Sequence, residues 1–66
     1  MKNNLKVQRA IKNVTQEDLA RAIGVSRQTI NTIESGKYVP STVLSLKIAQ
    51  YFGKALEEIF ELEEGD

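Results

Sequence analysis

Apolar and polar residues alternate along this chain in five short runs of helical spacing, parted by Asn13, Gly24, the Gly36–Pro40 stretch and Gly53. The first run covers roughly Lys2 to Lys12. Leu5, Gln8, Arg9 and Lys12 share one side, while Val7, Ala10, Ile11 and Val14 make its apolar face less regular. Asn13 suits its C-terminus, because Asn tolerates the left-handed conformation. Thr15 is a suitable N-cap for the second run, with a hydroxyl positioned to accept from the amide of Asp18. Glu17 and Asp18 also sit well against the helix dipole. Leu19, Ala20 and Ile23 form its inner face and Gly24 stops it.

Val25 plugs the next turn and Ser26 caps a third run, in which Ile30 and Ile33 point inward. Arg27, Gln28, Asn31 and Thr32 are left on its other side, and Gly36 ends it. Ser41 caps the fourth run, which reaches about Phe52 and is apolar nearly all round. Such a helix is expected in the middle of the core. The fifth run, about Ala55 to Leu62, carries a narrow stripe of Leu56, Ile59 and Phe60 among glutamates. Its start is poorly signalled, since neither Lys54 nor Ala55 is a good cap.

Sixty-six residues allow one domain, expected over 1–62, with 63–66 as a frayed acidic tail. Cysteine and histidine are both absent, which removes disulfides, thiolate chemistry, the usual general base and the usual metal ligands. No calcium-loop spacing is present either, so no metal or other cofactor is expected. No convincing carboxylate pair remains for catalysis, and an enzyme is not expected. Without a signal-peptide core or an apolar run of about 20 residues, the expected location is the cytoplasm.

The formal net charge of zero hides an asymmetry. Residues 1–40 carry seven basic against three acidic side chains, a net of +4; residues 41–66 carry two against six, a net of −4. A basic front fits a polyanion, although two ordinarily solvated faces would read the same.

Two short helices joined at a glycine corner form a helix-turn-helix. In that arrangement the second helix enters the major groove of duplex DNA, which is wide enough to admit it. Arg can fork onto guanine, Gln and Asn onto adenine, and a Thr methyl can meet a thymine methyl. A helical hairpin with a polar outer face would share the corner, so the glycine alone decides little.

The fuller pattern is more specific. Arg9, "TQEDLA" from Thr15, "IGVS" from Ile23, Ile30, "IESGK" from Ile33, Pro40-Ser41, Ile48-Ala49 and "LEEIF" from Leu56 together resemble the Cro/C1-type helix-turn-helix regulators. The resemblance spans about Leu5 to Phe60, and "SRQTINTIESGKYVPS" is similar to a subgroup of very small stand-alone regulators. It implies an all-α, compact five-helix bundle of the lambda-repressor-like fold. It also implies a double-stranded DNA partner, read by Arg27, Gln28, Asn31 and Thr32, with Gln16, Ser26, Thr29, Lys37 and Tyr38 at phosphates. Gln16 is further expected to brace a recognition-helix side chain. Tyr38 has the alternative of packing on the core edge. Arg9 and Glu34 match a partly buried ion pair, so Arg9 is assigned to structure rather than to DNA. Lys54 and Ala55 depart from the pattern and put the start of the last helix in doubt.

The resemblance also implies a homodimer on an inverted repeat, with Leu56, Ile59, Phe60 and Leu62 as the interface. Leu56 and Ile59 are expected inward, Phe60 and Leu62 shared or exposed. Larger relatives add an effector domain beyond this point; without one, control is expected from concentration, a partner protein or dimerisation. Two readings of function follow. One is a DNA-binding regulator, most simply a repressor, that controls its own operon. The other is an interaction module, such as an antitoxin whose acidic tail covers a basic toxin or another adjacent-operon product.

Overall fold

Local chemistry at the chain's turns sets the helix ends. In the computed structural model, which describes all 66 residues, the elements are β1 (Lys2–Asn3), α1 (Leu5–Lys12), α2 (Gln16–Ile23), α3 (Arg27–Glu34), α4 (Thr42–Phe52), α5 (Leu56–Ile59) and β2 (Phe60–Glu61). Thr15 opens α2 with a complete capping box: its Oγ1 accepts from the Asp18 amide at 3.0 Å, and Asp18 Oδ2 accepts from the Thr15 amide at 2.9 Å. Ser26 and Ser41 cap α3 and α4, accepting from Thr29 and Leu44 amides at 3.1 and 3.2 Å. Asn13 and Gly24 close α1 and α2 in the left-handed conformation, at φ 60° and 77°.

The core draws on every helix. Leu5 of α1, Leu19 of α2, Ile30 and Ile33 of α3 and Ile48 of α4 are fully buried, and Ile59 of α5 joins them. Val25, in the turn between α2 and α3, packs partly buried against this cluster. α2 and α3 thus share one apolar interior with α4.

The structure differs from the sequence pattern at both ends of the chain. The helix expected from Lys2 begins at Leu5, because Lys2 and Asn3 pair instead with Glu61 and Phe60 in an antiparallel ribbon. Asn3 supports that start: its Oδ1 accepts from the Leu5 amide at 3.1 Å and its Nδ2 donates to Ile33 O at 2.9 Å. The last helix, expected to reach Leu62, stops at Ile59. Ala55 offers no cap oxygen, and only Glu58 reaches back to the Ala55 amide, at 3.2 Å. The chain then turns extended at Phe60, which rotates that ring into the core, 7% exposed. Residues 63–66, read as a frayed tail, form a turn in which Asp66 accepts from the Glu63 amide and pairs with the Met1 amine at 3.0 Å.

α4 also departs from expectation. It is not enclosed: Ser45, Ile48 and Ala49 face the core, while Val43 and Leu46 lie on the surface, 65% and 52% exposed. None of the elements from β1 to β2 lies over that side.

Arg9 joins α1 to the end of α3. Its Nε and Nη2 donate to Glu34 Oε2 and Oε1 at 2.6 and 3.0 Å, and its Nη1 lies 3.4 Å from Val14 O. The hydrogen bond to Glu34 holds the guanidinium pKa above its ordinary value, against the opposing effect of burial. Arg9→Ala strands the Glu34 carboxylate and is expected to cost about 3 kcal/mol in a urea titration, the low end for a broken buried pair. Asp18 is held below its ordinary value of 3.8 by the Thr15 amide, then by the Thr15 hydroxyl, with the Arg21 charge adding to both. A depressed carboxylate stabilises the fold above the unfolded value, and that contribution is lost as pH falls through the lower folded value. Asp18→Asn should therefore flatten the fall in melting temperature below about pH 4, which thermal scans across that range would measure.

Candidate nucleic-acid interface

α3 places two kinds of side chain on opposite sides. Ile30 and Ile33 fill the core, so the helical repeat carries Arg27, Gln28 and Asn31 into solvent. Gln16, at the first position of α2, closes a concave surface with these three, about 240 Å³ in volume. A second hollow of about 480 Å³ lies alongside, where Arg9, Val14, Thr15 and Glu17 meet the same Gln16 and Arg27. Both open around the start of α2, whose first amides have no intrahelical partner and favour an anion.

The sequence-selected residues are not equally available here. Arg27, Gln28, Asn31, Ser26, Lys37 and Tyr38 are exposed, Lys37 and Tyr38 on the loop that leaves α3. Thr29 and Thr32 are half-buried. The Thr32 hydroxyl folds back on its own helix, donating toward Thr29 O at 2.9 Å and Gln28 O at 3.1 Å. Its methyl is the part left for an outside contact. Ser26 Oγ is the α3 cap and also lies 3.0 Å from Thr29 Oγ1, so these two hydroxyls act as one small polar group. Arg9 has its guanidinium engaged on Glu34 and Val14, which leaves no open fork for a phosphate.

Gln16 is the most connected member. Its Nε2 lies 3.1 Å from Glu34 Oε1 and 3.4 Å from Asn31 Oδ1. The sequence pattern offered Gln16 as a brace for the recognition helix but gave no sign that Glu34 holds its other side. A glutamine and a glutamate 18 residues apart carry no periodic signal; only the packing of α2 on α3 brings them together.

Of the four residues read as a dimer surface, Ile59 and Phe60 are buried within the single chain at 2% and 7%, and Leu56 is partly buried. Phe60 is therefore not exposed, because the β1–β2 pairing turns it inward. Leu62 remains open at 75%. Outside those four, the large exposed aliphatic residues are Val7 and Ile11 on α1 and Val39, Val43 and Leu46 at and before α4. No helix is long and apolar enough to cross a membrane.

Comparison with known proteins places this geometry. A helix-turn-helix family model matches residues 5–59. An uncharacterised helix-turn-helix transcriptional regulator of Methanocaldococcus jannaschii is 58% identical over 66 residues, all of both chains. The Bacillus subtilis regulator YgzD is 48% identical over 64 residues, 97% of each chain. Among solved structures, the restriction-modification controller protein C.AhdI of Aeromonas hydrophila superposes with a TM-score of 0.78 at 32% identity, covering 85% of each chain. That neighbour has the lambda-repressor-like fold, and the relatives are DNA-binding regulators rather than enzymes. The chain belongs to the Cro/C1-type helix-turn-helix family of DNA-binding transcriptional regulators.

Proposed function

We propose that this chain is a sequence-specific reader of duplex DNA that binds an inverted-repeat operator as a homodimer and represses transcription there. The observation that carries the reading is the exposed face of α3, where Arg27, Gln28 and Asn31 stand together beside the N-terminus of α2. With α3 in the major groove, these three meet base edges and Thr32 offers its methyl. Ser26, Thr29, Lys37 and Tyr38 flank them at phosphates. Both Nε2 hydrogens of Gln16 are directed at neighbouring side chains, so its contribution at a phosphate falls to the backbone amides of the α2 start. Repression is the simplest outcome, because occupying an operator that overlaps a promoter requires contact with DNA alone.

The dimer face moves from α5 to α4. Val43 and Leu46 sit three residues apart on one side of α4, with Val39 just before the helix. A groove of about 210 Å³ runs from Val39 past Pro40 and Thr42 to Leu56 and Phe60. Leu62 supplies a further exposed apolar side chain. Val39, Val43, Leu46 and Leu62, rather than the buried Ile59, are the side chains a second copy would cover.

Selection of binding sites from random duplex DNA at about 100 mM salt tests the reading, the expected product being an inverted repeat with half-sites about one turn apart. On that site Arg27→Ala should lose discrimination at one base pair, about 1–3 kcal/mol, whereas Lys37→Ala should weaken all sequences alike and reduce the salt slope by about one. Equal losses on every sequence for Arg27→Ala would sink its base-reading role. For the dimer, Val43→Asp is expected to raise the self-association Kd at least about tenfold in sedimentation equilibrium without lowering the melting temperature. An unchanged dimer would return the interface to another face.

A further inference from the structure

Asn3 joins three parts of the molecule that the sequence keeps far apart. Its backbone pairs with Phe60 in the β1–β2 ribbon. Its Oδ1 accepts from the Leu5 amide at 3.1 Å, at the start of α1. Its Nδ2 donates to Ile33 O at 2.9 Å, in the last turn of α3. Both partners are backbone groups with fixed roles, one a donor and one an acceptor. A reversed amide would oppose both, so the surroundings alone settle which end of the side chain is which. Carbonyls in the last turn of a helix have no partner further along it. Ile33 O accepts from the Gly36 amide at 3.0 Å, and Asn3 engages its second lone pair.

The ribbon that carries Asn3 also borders the groove proposed for the dimer. Phe60, opposite Asn3 in the ribbon, lines that groove with Leu56, Pro40 and Val39. The ribbon thus adjoins the face a second copy would cover and, through one side chain, holds the end of α3. Asn3 lies outside residues 5–59, the segment matched by the helix-turn-helix family model.

We propose that Asn3 is a positioning residue, a strut that fixes α3 relative to the dimer face and so sets which half-site spacing the protein accepts. The proposal rests on the reading of a homodimer on an inverted repeat and adds what determines its geometry. One extra base pair moves a half-site about 3.4 Å along the duplex and turns it about 34° around the axis. A dimer whose two α3 helices are rigidly joined cannot follow both changes, and it loses contacts on one half. A dimer with a loose joint follows them at little cost and binds several spacings. Apolar packing at Ile30 and Ile33 holds the body of α3 to the core, but apolar contact has no direction. The Asn3 bond does have one, and it acts at the end of α3. Asn3 touches no base; it decides where the base-reading side chains stand.

The test compares the native protein with Asn3→Ser. A serine hydroxyl can still accept from the Leu5 amide, but it is too short to reach Ile33 O and leaves that bond unmade. Affinities are measured on the selected inverted repeat and on the same half-sites set one base pair closer and one further apart. The native protein is expected to favour its own spacing by at least about tenfold, the equivalent of one good base contact. In Asn3→Ser that ratio should fall to about threefold or less, while base preferences within each half-site stay put. A merely structural role for Asn3 would weaken all three spacings by one factor. An unchanged ratio in Asn3→Ser, or a native protein indifferent to spacing, overturns the proposal.

A native protein that enriches no inverted repeat defeats the proposed function instead, and the strut is then judged on the free protein by amide hydrogen exchange. The amides of Ser35, Gly36 and Lys37 close the last turn of α3 on Asn31, Ile33 and Thr32 carbonyls. In Asn3→Ser these three should exchange at least about tenfold faster, while the Gln8 amide, bonded to Asn4 O in the first turn of α1, keeps its rate. Unchanged exchange from Ser35 to Lys37 overturns the strut without reference to DNA.

Discussion

The contact on which this fold and its site both turn is the fork between Arg9 and Glu34. It is the point where α1, the α1–α2 corner and the end of α3 meet, through Glu34 on one side of the guanidinium and Val14 O on the other. Two charges withdrawn from water in this way stabilise little unless every remaining polar atom nearby finds a partner. Gln16 supplies that partner for Glu34 Oε1, and in doing so it ties the first turn of α2 to α3. The orientation of α3 is thus held by apolar packing at Leu19, Ile30 and Ile33 on one side and by a polar network on the other. A core of ten side chains leaves few other ways to fix that angle.

What could be read from the residues in order was what local chemistry decides. Thr15 with Asp18, Ser26 and Ser41 cap their helices as their side chains dictate, and Asn13 and Gly24 take the left-handed conformation that few other residues accept cheaply. The ends of the chain were not legible in this way. Leu56, Ile59 and Phe60 have helical spacing, and Lys2 to Asn4 sit in front of a helical run without any breaker. What decides between helix and ribbon is the pairing of Asn3 with Phe60 across more than fifty residues, which no local pattern records. α4 misled for a related reason. An all-round apolar helix reads as central whether its second side meets the same chain or another one.

The candidate site was legible in residue types and not in directions. Arg27, Gln28 and Asn31 had to face away once Ile30 and Ile33 faced in, because the helical repeat leaves no other choice. Thr32 shares their face by spacing, yet its hydroxyl is claimed by its own backbone, a frequent fate for threonine within a helix. Gln16 shows the same limit from the other side. Spacing places it near α3, but only the Arg9–Glu34 pair determines which end of its amide points where.

The dimensions of the molecule bear on the proposed action in pairs. Its longest principal extent is 31 Å, with 22 and 20 Å across it. Two successive major-groove faces on one side of B-DNA lie about 34 Å apart. A single copy is therefore too short to span two grooves, and α3, eight residues long, would cover only a few base pairs in the proposed reading. Few base pairs mean low discrimination, since each good contact contributes only about 1–3 kcal/mol against the many other sites in a genome. Two copies joined rigidly would double that term while the entropy of positioning is lost largely once. Rigidity along the path from one α3 to the next then matters more than the affinity of either copy. With the dimer face proposed on α4, that path would cross the shared core, where Ile48, Ile33 and Ile30 are among the most deeply buried side chains in the chain.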